Sequence, residues 1–301
     1  MDSLSHLLTL LAPRCEVNLH CRFGGRWQVG HDQMRTGIVP WHFVLHGEGR
    51  LTVGNQTRDM RAGDVILLPH GSPHLMESLV EWGQVLPVAH RFNGTLTEMR
   101  TAAQDDALEM LCGEFYFGPH VSWLFADEAE LVHLHTDERA ECPELEILLN
   151  VLVRESITER PGGAAIVRSL GDTLLVLLLR TLLGMKAPPA GLLRLMSDDR
   201  LMPAVLAVMS TPEQPWTMES MAARAFLSRA TFARHFARVY HLTPQAWLSQ
   251  LRMAMGARLL QQDRQARLDT IAERCGFQSQ ASFSKAFKKH YGQTPGEWRR
   301  K

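Results

Sequence analysis

The sequence predicts an α+β multidomain protein: a β-barrel-like N-terminal part, a helical middle segment, and an all-α C-terminal part holding two helix-turn-helix units. Three observations point there. Short β-branched and aromatic runs separated by turn residues fill positions 1–135. Helical periodicity takes over at about Pro143. A pattern of aromatic, Thr-Pro and cationic positions in the last hundred residues is written twice.

The β part comes first. Trp41–Leu45 and Val65–Leu68 read as strands, and Leu51–Val53 is a short strand leading into Gly54-Asn55. Arg61-Ala62-Gly63-Asp64 and Pro69-His70-Gly71-Ser72-Pro73 are further turns. Several short strands joined this way favour a sandwich or small barrel. In the middle segment, Leu145, Leu148, Leu149, Leu152 and Val153 fall on one helical face, and Pro161-Gly162-Gly163 ends that helix. A second helix runs from Ala164 to about Leu183. It is so apolar around Leu174–Leu179 that it must be buried, against the β part or another subunit. Lys186 to Gly191 has linker composition. The expected boundaries are 1–140 for the β domain, 141–186 for a helical linker and dimerisation segment, 187–198 for a linker, and 199–301 for the helix-turn-helix domain.

Composition narrows the function classes. The chain of 301 residues is 45% hydrophobic and 21% charged, a globular profile. Its formal charge of zero hides an asymmetry: residues 196–301 carry 16 Lys and Arg against 8 Asp and Glu, and residues 1–195 carry 16 against 24. A basic module on an otherwise acidic chain is the footprint of a polyanion binder attached to something else. The N-terminus lacks a basic stretch followed by an apolar core, so no signal peptide is expected. The apolar run Leu174–Leu179 is far shorter than the ~20 residues a bilayer needs. Cys15, Cys21, Cys112, Cys142 and Cys275 are scattered and odd in number, unlike a disulfide framework or zinc-ligand spacing. A soluble, cytoplasmic protein is expected.

In the duplicated unit, Phe232, Phe236, Tyr240, Thr243, Pro244 and Trp247 recur as Phe283, Phe287, Tyr291, Thr294, Pro295 and Trp298, with Arg234 matched by Lys285 and Ser228 by Ser279. The two units span about 217–240 and 268–291. Each reads as a short helix, a tight turn and a longer helix N-capped by Ser228 or Ser279, which is helix-turn-helix geometry. A helix from Pro244 to about Gln262 spaces them. The phenylalanines at i and i+4 point inward, so Arg234 and Lys285, rotated about 200° from the first Phe, face outward. A recognition helix reads base edges with its N-terminal end, where Arg suits guanine and Gln suits adenine. The expected DNA-contacting residues are therefore Ser228, Arg229, Ala230, Thr231 and Arg234, with Gln278, Ser279, Gln280, Ser282 and Lys285 in the second copy. Arg238, Lys288 and Lys289 suit phosphates. Neighbouring major-groove faces lie ~34 Å apart, so a rigid pair of readers suits one asymmetric site.

These residues resemble the AraC/XylS family of bacterial transcription regulators. The matching text is Ser228 to Phe236, Thr243-Pro244, Ile271-Ala272, Gly276-Phe277, Ser282 to Lys289, and Thr294 to Glu297. Phe226 departs from it, because the family's first turn usually has a small residue. The β part resembles the cupin-type sensor domains of such regulators. Gly63, Pro69, Gly71 and His74 match the second cupin motif, and His42 and Glu48 match part of the first, with Val44 at the second histidine. The opening residues, with Cys21 and Cys112-Gly113, resemble regulators responding to reactive chlorine species.

The resemblance implies a transcription regulator, an activator rather than a repressor, and not an enzyme. Its expected partners are double-stranded promoter DNA, RNA polymerase, a small-molecule or oxidant effector and a second copy of the chain, with no membrane and no cofactor; bound to DNA it would be nucleoid-associated. Cys21, Cys112, His42 and His74 are the expected effector or redox residues. Cys21 lies between His20 and Arg22, and cations near a thiol favour the thiolate that oxidants attack. A lone His70 on a turn is expected to be solvated. The rival reading is a metal-dependent cupin enzyme using His42, Glu48 and His74, with His46 on the same face if the strand runs straight, and an incidental basic C-terminus.

Overall fold

A computed structural model describes residues 2–300 except 104, 118–120, 127–128, 136–142 and 158–159, so Cys142 lies outside the described residues. The chain divides into two compact units, residues 13–189 and residues 1–12 with 190–301.

The larger unit is a curled half-barrel. Its strands are β1 (Arg14–Phe23), β2 (Gln28–His31), β3 (Ile38–Val53), β4 (Gln56–Arg61), β5 (Val65–Leu67), β6 (His74–Glu77), β7 (Val88–Phe92), β8 (Thr97–Thr101), β9 (Leu108–Tyr116) and β10 (Val132–Leu134). They run in the order β10-β5-β3-β9-β1-β8-β7, while β2 pairs with β6, and β4 and β6 pair with β3. Strand β3 makes the curl. Its first half pairs with β5 and β9 and its second half with β4 and β6. A register shift between Val44 and His46 marks the bend, as bulges do. Gly47 follows at φ 78, where a Cβ would stand 1.8 Å from the Ala107 carbonyl oxygen. Cys21, Phe23, Trp27, Val44, Ile66, Met76, Met110 and Cys112 belong to the barrel core.

A four-residue helix, α2 (Val121–Leu124), precedes β10. The helices α3 (Pro143–Ile157) and α4 (Gly163–Gly184) pack on each other, and α4 lies against β1. The apolar circumference of α4 is thereby covered within its own unit. Gly171 permits the approach, since a Cβ there would meet Cys15 Sγ at 3.1 Å, and the Cys15 amide donates to Asp172 Oδ1 over 3.2 Å.

The second unit differs from the expected boundaries at both ends. Residues Ser3–Leu11 form a helix, α1, N-capped by Asp2. Leu7 and Leu11, four apart, are buried, and α1 packs on α6 (Met202–Ser210) and α9 (Pro244–Gln262) of the C-terminal body. The expected linker 187–198 contains α5 (Leu192–Met196), whose Leu192, Leu193, Leu195 and Met196 are all buried; four apolar side chains in five positions overrode the Pro/Gly-rich lead-in. The remaining helices are α7 (Met218–Arg224), α8 (Arg229–Tyr240), α10 (Leu268–Arg274), α11 (Gln280–Tyr291) and α12 (Pro295–Arg299). Among the described residues no helix is long and apolar enough to cross a membrane.

Candidate nucleic-acid interface and signal cavity

The written repeat is a structural repeat. The Ser228 hydroxyl caps α8 by accepting from the Thr231 amide at 3.2 Å, and the Ser279 hydroxyl caps α11 by accepting from the Ser282 amide at 3.2 Å. Each helix ends on a left-handed residue, His241 at φ 62 and Gly292 at φ 70. Each is followed by a Thr-Pro helix start. The aromatic ladders match as well: ring centroids of Phe236 and Trp247 lie 5.6 Å apart, those of Phe287 and Trp298 5.7 Å. Phe232, Phe236, Phe283 and Phe287 are fully buried.

That inward anchoring sets what faces out. Ser228, Arg229, Ala230, Arg234 and Arg238 on the first unit are exposed, as are Gln278, Ser279, Gln280, Ser282, Lys285, Lys288 and Lys289 on the second; Thr231 is half-buried. Among the described residues neither Arg234 nor Lys285 has an ion-pair partner. Two other cations are engaged. Arg229 pairs with Glu219 at 2.8 Å. Arg238 donates to His235 Nδ1 at 2.8 Å, and the buried His235 reaches Asp198 through Nε2. Arg238 thus braces α8 against the segment before α6, a role periodicity could not reveal because Asp198 is 37 residues away from His235.

The two turns differ. Phe226 and Gly276 occupy the same place, each amide bonding back three residues to Ala223 or Glu273, and both have positive φ, 55 and 73. The second turn has one residue more before its cap. At Gly276 a Cβ would meet the Glu213 carbonyl oxygen at 2.6 Å, so glycine is needed there on two counts. Phe226 holds a left-handed conformation with a ring that is 91% exposed, so no burial offsets its strain.

The expected effector residues meet in the β domain. A cavity of about 180 Å³ is lined by His31, His42, His74, Cys112, Met34 and Glu114, among others. His74 Nδ1 donates to the Ser72 carbonyl oxygen at 3.0 Å, leaving its Nε2 to accept from His42 Nε2 at 3.0 Å. The His42 Nδ1 lone pair is then buried without a partner. The sequence had not singled out His31, which stacks on His74 at 4.5 Å; β2 pairs His31 with His74, a juxtaposition no motif carries. Burial holds all three imidazoles neutral. His74 is brought down to about 4, with His31 adding to the effect, and His42 is lowered further by its two neighbours.

Cys21 Sγ lies 4.0 Å from Cys112 Sγ, both in the core. The cations that flank Cys21 in sequence do not reach it, because alternate residues of β1 face opposite ways. His20 pairs with Glu109 at 2.7 Å and Arg22 with Asp106 at 2.5 Å. Contact with Cys21, and then burial, push the Cys112 thiol well up, so it carries a proton at neutral pH. The enzyme-like ligand set is not assembled: beyond the β3 bulge, Glu48 and His46 are exposed. His70 is half-buried rather than solvated, bonding through Nε2 to the Ala126 carbonyl.

Comparison with known proteins assigns a separate family model to each part of the chain, counting α1 with the first. A Cupin family model matches residues 2–184 and a helix-turn-helix domain model residues 221–301. The chain is 30% identical over 300 residues to an HTH-type transcriptional regulator of Haemophilus influenzae, covering all of this chain and 99% of that protein. The chain belongs to the cupin-bearing AraC-type transcriptional regulators. Other members include MtrA of Neisseria gonorrhoeae, an HTH-type transcriptional regulator 31% identical over 100% of this chain and 98% of its own. The RCS-specific transcriptional activator RclR of Escherichia coli is 27% identical over 99% of this chain and 97% of its own.

Proposed function

We propose that this regulator activates transcription from promoters whose two adjacent major-groove segments are read by α8 and α11, with Arg234 and Lys285 at base edges. Ser228, Arg229, Ala230 and Thr231, with Gln278, Ser279, Gln280 and Ser282, flank those contacts, and Arg238, Lys288 and Lys289 meet phosphates. The observation that carries this reading is the equivalent placement of two unpaired, exposed cations on two helices with the same caps and aromatic anchors. Arg234→Ala is expected to cost roughly 1–3 kcal/mol of specific affinity and to relax selectivity at one base pair. Lys288→Ala should weaken all sequences alike. Binding titrations on the native promoter check both; an Arg234→Ala protein with unchanged affinity and selectivity removes the assigned docking face.

The protein acts as a cytoplasmic regulator, not an enzyme. Its signal is a small molecule or oxidant taken up at the cavity of His31, His42, His74 and Cys112. The signal biases DNA binding only through its different affinity for two arrangements of the chain. The helices α3 and α4 serve transmission and pairing with a second copy, and RNA polymerase is the downstream partner.

The sulfur pair favours an oxidant in particular. Two thiols in contact can pass two electrons and one proton to a hypohalous acid and release the second proton to solvent, giving a disulfide, halide and water, once the sulfurs close to about 2.05 Å. Cys21→Ser should abolish induction by hypochlorous acid while leaving the DNA affinity of the untreated protein intact. A normal oxidant response in that variant ends this version of the signal.

A further inference from the structure

Asp64 sits in the turn between β4 and β5, His133 in β10, and His135 just after it. Positions two apart on a strand face one way, so both imidazoles approach the same carboxyl group. The carboxyl is fully buried. Its Oδ2 accepts from the Arg61 amide at 3.0 Å and lies 3.0 Å from His133 Nε2. Its Oδ1 has no hydrogen-bond partner among the described residues and stands 3.8 Å from His135 Nδ1. The two imidazole centroids are 4.0 Å apart.

We infer that Asp64, His133 and His135 form a site for a divalent transition-metal ion of the zinc class, separate from the barrel cavity. One carboxylate and two imidazoles are a donor set that zinc, cobalt and their neighbours accept. The three donor atoms lie within 4.8 Å of one another. Donors about 2.1 Å from a common ion stand about 3.0–3.4 Å apart; here His133 is 3.0 Å from Oδ2, His135 is 3.8 Å from Oδ1 and all three donors lie within 4.8 Å, so an ion draws the donors together from these separations. A hydrogen bond from His133 alone would leave a buried carboxylate oxygen unsatisfied, which is costly; a cation removes that cost. The His135 side chain, 47% exposed, gives an entry path. The consequence is mechanical: β10, three residues long at the end of the sheet order, is clamped to the β4–β5 turn.

The test uses the full chain, stripped with a chelator and titrated with cobalt(II) and zinc(II). One equivalent of cobalt should bind with visible ligand-field bands, and zinc should displace it and raise the Tm. His135→Gln and His133→Gln, each checked for native circular dichroism, should weaken binding at least tenfold and abolish the Tm rise. His42→Ala should leave both unchanged. No binding at millimolar metal overturns the site, as does binding that survives both His133→Gln and His135→Gln or that is lost in His42→Ala instead. Asp64→Asn is the weaker variant, because it also disturbs the turn bond to Arg61.

Discussion

Phe283→Ala is expected to destabilise the C-terminal unit by about 3–5 kcal/mol, the range for emptying a fully buried phenylalanine site. The ring is 0% exposed and packs between Phe277, edge-on at 5.6 Å, and Phe287, tilted at 5.5 Å. It also presses on α9 so closely that a Cβ on Gly256 would lie 2.8 Å from it. Backbone held that near a ring has little room to collapse, so the cavity stays and the cost falls at the upper end. Because α11 hangs on this ring, Lys285 should lose its orientation, and promoter affinity should fall with stability. Phe226→Ala is the control: its ring touches solvent, so the change should stay within about 0.5 kcal/mol. Denaturant unfolding of the two proteins, read alongside promoter binding, decides the matter. Equal losses in both would mean that the aromatic ladder does not anchor the recognition helix.

The second large effect is on pH. His74, 5% exposed, has a folded value of about 4 against an ordinary value near 6.5. A base whose folded value is lowered is protonated first in the unfolded chain. Its stabilising contribution is complete above about pH 6.5 and drains away as pH falls toward 4. At about 1.4 kcal/mol for each unit, the β domain should lose roughly 3 kcal/mol across that window from His74, and more from His42 and His31, which shift the same way. Urea midpoints followed by the fluorescence of the buried Trp27 and Trp41 at pH 7.5 and 4.5 measure it. His74→Gln should flatten the decline. A decline just as steep in that variant would place the acid sensitivity elsewhere.

The cavity wall combines three imidazoles held neutral by burial and a protonated thiol with the Glu114 side chain. The Cys21–Cys112 contact adds a buried pair of sulfurs in the core adjoining the Cys112 wall.

The tandem helix-turn-helix part was readable from the chain alone, because its information is local. Serine caps, i/i+4 phenylalanines and Thr-Pro starts each act within one or two turns of helix, and writing them twice removes chance as an explanation. The same holds for the burial of α4, since LLVLLL cannot face water. Long-range pairing decided the rest. The cavity needs β2 to bring His31 to His74, and the bulge in β3 to send His46 and Glu48 outward while His42 stays in. Strand alternation, not sequence adjacency, set the surroundings of Cys21, turning the flanking cations away from it. Likewise α1 left the β domain it precedes for the C-terminal body, and α5 folded where a linker was expected. Local rules set which segments become helices and strands; which side chains then share a wall depends on contacts tens of residues apart, and only the assembled tertiary structure contains those.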